Sequence, residues 1–155
     1  MFITRMAGPD DAGIISSHRH RMFVDSGQAD DDRMATVIRE FEPWVHARLT
    51  SGVYVGWLTA PEAEPEKVVA GAGLLLMDFP PHFLDAGSIR AYLLNFYVDP
   101  EWRGHGLAYR LLRTAVEETQ KRGIGVVSLH ASVFGKPLYE RNGFKESNEM
   151  LLRNR

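Results

Sequence analysis

The spacing of apolar residues along the chain changes several times, and each change marks an element. Phe2 to Met6 reads as a short strand, broken by Gly8-Pro9-Asp10. Ile14, Ile15, His18, Met22 and Phe23 then recur at helical spacing. They predict a helix from Asp11 to Val24, capped by Asp10 and stopped by Ser26-Gly27. Met34, Val37, Ile38, Phe41, Val45 and Leu49 form the stripe of a second helix, with Pro43 as a candidate kink. Asp30 to Asp32 put negative charge at its positive end. After Ser51-Gly52 the period falls to two. Val53, Val55 and Trp57 alternate with Tyr54 and Gly56, which predicts a strand. Pro61 to Glu66 is a polar turn, and the apolar run Lys67 to Met77 is its hairpin partner. A loop with Pro80-Pro81 follows, then a strand from Arg90 to Val98. The helical period returns from Gly104 to Arg122 and stops at Gly123. Val126 to His130 predicts a strand, Lys136 to Asn142 a short helix, and Phe144 to Leu152 a last strand.

A hairpin followed by a strand–helix–strand crossover implies an α/β fold with a mixed sheet and helices packed on it. With 155 residues, 45% of them hydrophobic, and no linker or repeat, the expectation is a single domain over residues 1–155.

Composition narrows the chemistry by exclusion. The net charge is −2, without the basic excess of a nucleic-acid binder, so no nucleic-acid partner is expected. Cysteine is absent, which rules out disulfides, cysteine-ligated metals and an acyl-cysteine intermediate. His46, His82 and the methionines show no metal spacing, so no metal is expected. No apolar run approaches the roughly 18 residues of a membrane span. Met1 to Arg5 lacks the basic-then-apolar pattern of a signal peptide. The expected location is cytoplasmic, with no membrane partner.

The junction after Val98 is the chemically richest stretch. Pro100 takes the chain off the sheet, because it has no N–H for the ladder. Arg103-Gly104-His105-Gly106-Leu107-Ala108 then opens an amphipathic helix whose apolar side is Leu107, Leu111, Leu112, Ala115 and Val116. The first turn of a helix leaves backbone N–H groups without partners, and with the dipole they make an anion site. Gly104 and Gly106 remove side chains that would hold a phosphate away, and Arg103 adds positive charge. The same glycines also suit a tight strand–helix turn with no ligand. A dinucleotide fold fits poorly, since the glycines come late and no acidic residue ends a following strand at the usual distance. A Walker loop fits worse, because Gly-Lys-Ser/Thr is missing.

Here the sequence resembles the GNAT superfamily of N-acetyltransferases. Arg103-x-x-Gly106-x-Ala108 matches that family's Arg/Gln-x-x-Gly-x-Gly/Ala signature, and Val98-x-Pro100 matches the segment before it. Pro137-Leu138-Tyr139-Glu140-Arg141-Asn142-Gly143-Phe144 resembles the family's LYE-x-x-GF segment. The resemblance implies a central mixed sheet of six to seven strands, splayed at the cofactor site and flanked by about four helices. It implies acetyl-CoA as cosubstrate, with its pyrophosphate on the amides of Gly104, His105, Gly106, Leu107, Ala108 and Tyr109. The backbone of Phe96, Tyr97 and Val98 would hold the pantetheine arm. An asparagine that often contacts CoA in the family is replaced nearby by Ser132, which weakens or removes that contact.

The implied reaction is direct attack of a small-molecule or peptide amine on the acetyl thioester in a ternary complex. The Val98 N–H would stabilise the oxyanion, and Tyr139 occupies the family's general-acid position. Read from the residues alone, Tyr139 is an aromatic packing residue of a short helix. The alternative to an enzyme is a non-catalytic acyl-CoA-binding regulatory domain of the same fold. A homodimer is an option the resemblance leaves open.

The general base has no obvious candidate. The run Tyr92-Leu93-Leu94-Asn95-Phe96-Tyr97-Val98 lacks the carboxylate that family members often carry there. Asn95 is its polar oddity, either orienting the amine or a water, or a satisfied core amide. His130 ends the next strand and is either the base or a hydrogen-bonded core residue. The first helix pair and the loop Asp78 to Ser88 are expected to build the substrate pocket. The basic run His18-Arg19-His20-Arg21 there reads as a lure for an acidic substrate or as a solvated helix face.

Overall fold

The computed structural model describes residues 1–154. One five-stranded sheet runs in the order β1 (Phe2–Met6), β2 (Tyr54–Pro61), β3 (Ala70–Asp78), β4 (Ile89–Val98) and β5 (Val127–Leu129). The first four strands pair antiparallel, and β4 pairs with β5 in parallel. Helices α1 (Ala12–Asp25) and α2 (Asp32–Ser51) cover one face. Helices α3 (Leu107–Lys121) and α4 (Lys136–Arg141) cover the other.

Each face has its own core. Under α1 and α2 lie Ala12, Ile15, Phe41, Val45, Leu49, Tyr54 and Leu58. Under α3 and α4 lie Val55, Trp57, Ala72, Leu74, Leu93, Leu107, Leu111, Leu112 and Tyr139, among others. Strand β2 is buried along its whole length because it feeds both cores.

The mixed α/β architecture and the four helices are as expected; the strand count is five among the described residues, not six to seven. The missing strand is Phe144 to Leu152, which carries no strand pairing. Lys145-Glu146-Ser147-Asn148-Glu149 has no β-branched residue to fit a pleated surface. Side chains hold this segment instead, through Lys136 to Glu146 and Arg90 to Glu149. Strand β5 is also shorter than expected, so His130 lies just past its end. Asp10 does not cap α1. A 3-10 turn over Pro9–Asp11 precedes that helix, and Asp11 accepts from the Gly8 N–H and binds Arg5 in two bonds of 2.8 Å. Asp31 caps α2, accepting from the N–H groups of Arg33 and Met34, and the helix continues through Pro43.

Candidate active site

The site is built on an irregularity in β4. Gly73 pairs with Leu94 and Gly71 with Tyr97, so Asn95 and Phe96 together oppose Ala72. This is a β-bulge, and Asn95 adopts φ 55°, the left-handed region that asparagine tolerates better than most residues. The extra residue inverts the alternation of side chains. Before the bulge, Ala91 and Leu93 face the core under α3; after it, Phe96 and Val98 do. Pairing of β4 with β5 stops at Leu93 and Leu129, so the two strands part where the bulge begins.

That parting leaves backbone groups free along one edge of β4. Asp99 donates to the Val69 carbonyl at 2.8 Å, so Asp99 belongs to the hydrogen-bonded set facing β3. In an antiparallel pair this set alternates with one facing outward. Val98, opposite Ala70, is in the outward set. Its N–H and carbonyl point to the gap between β4 and β5. The carbonyl accepts from Arg103 Nε at 3.0 Å, which leaves the N–H.

The turn after β4 carries the second group of free amides. A 3-10 turn over Pro100–Trp102 uses the N–H groups of Trp102 and Arg103, and the first α3 bond runs from Arg110 to the Gly106 carbonyl. None of the turn's backbone bonds is donated by Gly104 through Tyr109. Gly104 and Gly106 have φ of 84° and 76°, and a side chain on either would point into open space. Their role is therefore to permit the left-handed turn while keeping the approach to six amides clear. Those amides fit a diphosphate.

The side chains around this turn are mostly committed to the protein. The Arg103 guanidinium reaches back to Val98 and to Asp25 of α1 at 3.1 Å, bracing the turn. His105 bonds through Nδ1 to the Trp102 carbonyl at 3.0 Å and packs edge-on to Phe2. Tyr109 is exposed on the first turn of α3, and Ala108 is half-buried beside it. Ser132 is held in the turn before α4, where its hydroxyl accepts from the Gly135 N–H.

Tyr139 sits on the α3/α4 face, 8% exposed. Its ring meets Phe96 and Phe144 edge-on, each at 5.8 Å between centroids. Gly135 is pressed against it, and a side-chain carbon at that position would fall 3.1 Å from the ring. Burial pushes the phenol up to about 12, so it holds its proton across the neutral range. The bulge thus brings Phe96, the free Val98 amide and Tyr139 to one side of the gap.

Asn95 and His130 belong to the other side. Asn95 is 3% exposed, and its amide is used at both ends. Oδ1 accepts from Arg19 at 2.8 Å, and Nδ2 donates to the Tyr54 hydroxyl at 2.9 Å. Tyr54 reaches it by crossing β3 at Gly73, where any side-chain carbon would fall 2.0 Å from the phenol oxygen. Burial raises the Tyr54 phenol to about 12 as well. His130 is exposed, and its Nδ1 shares a hydrogen bond with the Tyr92 hydroxyl.

Sequence reasoning missed Tyr54, Tyr92 and the individual part of Arg19. Tyr92 lay in a run read only as strand. The signal for Tyr54 was Gly73, a glycine inside an apolar strand, which marks a close approach. A cavity of about 820 Å³ lies beyond β5, walled by the 144–149 segment and by Phe79, His82 and Leu84. It touches the site through His130, Tyr139 and their neighbours. No group of three or more metal-ligating side chains occurs among the described residues, and none of their helices is long and apolar enough to cross a membrane.

The acetyltransferase (GNAT) family model matches residues 16–144. A GCN5-related N-acetyltransferase from Ralstonia eutropha superposes with a TM-score of 0.92 at 34% identity, covering 99% of this chain and 98% of that one. A predicted acetyltransferase from Clostridium acetobutylicum, solved with acetyl-CoA, gives 0.88 at 28% identity, covering 99% and 96%. The glucosamine 6-phosphate N-acetyltransferase of Trypanosoma brucei brucei is 30% identical over 79 residues, 51% of this chain. That match spans about half, 52%, of the trypanosomal protein.

Proposed function

This chain belongs to the acetyltransferase (GNAT) family, and from that premise we propose that it moves an acetyl group from acetyl-CoA to a primary amine by direct attack in a ternary complex. The observation that carries the reading is the parting of β4 and β5 at the Asn95 bulge, with the Val98 N–H turned into the gap and Tyr139 beside it.

Acetyl-CoA supplies a thioester-activated acetyl group. The amides from Gly104 to Tyr109 hold its pyrophosphate, and the free edge of β4 at Phe96 and Val98 holds the pantetheine arm like an added strand. The Val98 N–H donates where negative charge grows on the acetyl oxygen. Tyr139 donates to the leaving sulfur. A phenol pushed up to about 12 lies well above an ordinary thiol near pKa 8.5, so complete transfer of its proton to the sulfur is uphill. Tyr139 therefore acts by a hydrogen bond as the C–S bond breaks, CoA leaves as the thiolate, and the proton shed by the attacking amine passes to a base. His130, exposed beside Tyr92 at the end of β5, is the base assigned to that proton. Asn95 is a positioning residue, since its amide is spent on holding the bulge.

The acceptor is an amine on a small molecule or a peptide. An amino sugar is the example that the trypanosomal relative's name suggests. Initial rates measured with acetyl-CoA and amine varied together test the order of events. Intersecting double-reciprocal lines are expected for a ternary complex. Parallel lines would require an acyl-enzyme and would overturn the reading.

A further inference from the structure

The basic run His18 to Arg21 separates into four different fates. His18 is 4% exposed, packed beside the Tyr97 ring at 5.2 Å, and its burial pulls it down to about 4, so it is neutral at pH 7. His20 turns outward to Asp30 at 2.9 Å, and Arg21 binds Asp99 at 2.9 Å. Arg19 points inward and forms no ion pair with any carboxylate among the described residues. Its guanidinium lies between the rings of Phe23 and Phe41, 4.7 and 4.8 Å from their centroids. Of its five N–H groups, one is committed, to Asn95. Its Nε is buried with no partner.

Most other arginines of this chain that bond to a side chain across the fold find a carboxylate, as Arg5, Arg90 and Arg103 do. A half-buried cation without a counter-ion, with its Nε buried and unpartnered, is an unfavourable arrangement that an incoming anion relieves. The place of Arg19 says which anion this is. It meets the bulge residue Asn95 on the α1/α2 face, across the sheet from Tyr139. The leaving sulfur occupies the Tyr139 side, so the amine reaches the gap from the α1/α2 side, where Arg19 and Tyr92 stand. Two aromatic walls fix the guanidinium plane and leave its remaining donors to read an oxyanion.

We propose that Arg19 recognises an acidic group, a carboxylate or a phosphate, on the acceptor amine, and so restricts the enzyme to anionic acceptors. The inference rests on the acetyl-transfer reading above and adds the acceptor's chemical class.

The test uses acceptor pairs in which one member carries the acidic group and the other lacks it, and reads the change in their ratio between wild type and variant. Glucosamine 6-phosphate against glucosamine is the phosphate arm, and phenylalanine against phenylalaninamide is the carboxylate arm. The wild-type protein is expected to favour the anionic member of one pair in kcat/KM by about tenfold or more, the scale of a charge-assisted hydrogen bond. Arg19→Met is expected to lower that ratio by about tenfold or more. Asn95→Asp, which tolerates the same backbone and gives Arg19 an internal carboxylate, is expected to do the same if Arg19→Met fails to fold. Equal use of both members by the wild type in both arms, or a ratio unmoved in the variants, would overturn the proposal. Calorimetry of the CoA-loaded protein with the same compounds separates it from the reaction itself. Preferential binding of the anionic member without turnover supports Arg19 and counts against acetyl transfer. Turnover without any anionic preference does the reverse.

Discussion

Replacing Tyr139 by phenylalanine tests the chemistry without disturbing the fold. The ring is wedged between Phe96 and Phe144, and phenylalanine keeps both edge contacts. The hydroxyl finds no hydrogen-bond partner among the described residues, so its removal orphans no protein group. The expected change in unfolding free energy is therefore small, within about 0.5 kcal/mol. Catalysis is different, because the hydroxyl is assigned to a sulfur that gains negative charge. A hydrogen bond to a charged group contributes about 1.5–3 kcal/mol, which converts to a loss of about 10- to 150-fold in kcat. Affinity for CoA stays within about twofold, since the pyrophosphate amides of the Gly104 turn are untouched. Thiol release gives kcat, calorimetry gives the affinity, and a denaturation midpoint checks the fold. A kcat within about threefold of wild type, in a folded variant that binds CoA normally, would refute the assignment. So would an affinity loss as large as the loss of kcat, which would make Tyr139 a wall of the binding cleft.

Gly106→Asp forces a side chain into φ 76° and sets a carboxylate before the free amides; CoA binding should weaken by more than tenfold, while Gly106→Ala shows the part due to strain alone. Unchanged calorimetric affinity in Gly106→Asp would remove the turn from the binding site. His18 supplies a pH signature. Its folded value of about 4 lies below the ordinary 6.5, so the unfolded chain takes up the proton first as the pH falls. Stability from this group is complete above about pH 6.5 and declines down to about pH 4, by about 3 kcal/mol in all. Urea denaturation at stepped pH should show this slope, and His18→Gln should flatten it by about one proton; an unaltered slope in that variant would contradict the burial argument.

What the sequence disclosed followed from local rules. The glycines before Leu107 and the stripe Leu107, Leu111, Leu112, Ala115 mark α3 and its free amides, because both depend only on neighbours in the chain. Asn95 was visible as a misfit in an apolar strand, but its purpose was not. The bulge depends on Ala72 of another strand, and the amide's partners come from α1 and β2. The basic run at His18 likewise reads as one feature until packing divides it into a neutral imidazole, a surface hydrogen bond from His20, a surface ion pair from Arg21 and a guanidinium without a counter-ion. The expected last strand failed for the complementary reason. Phe144 to Leu152 has apolar residues at its ends, but Lys145 to Glu149 between them lack strand formers, and ion pairs claim them instead.

The central claim is that this gap carries an acetyl group from CoA to nitrogen. Incubation with acetyl-CoA labelled in its acetyl group, over a panel of amines, tests it most directly by following both the free thiol and the label. The account predicts an amine on which label appears in amounts equal to the thiol released, with no release in the amine's absence. Acetyl-CoA bound but never turned over, or thiol released while the label goes to free acetate, would contradict it.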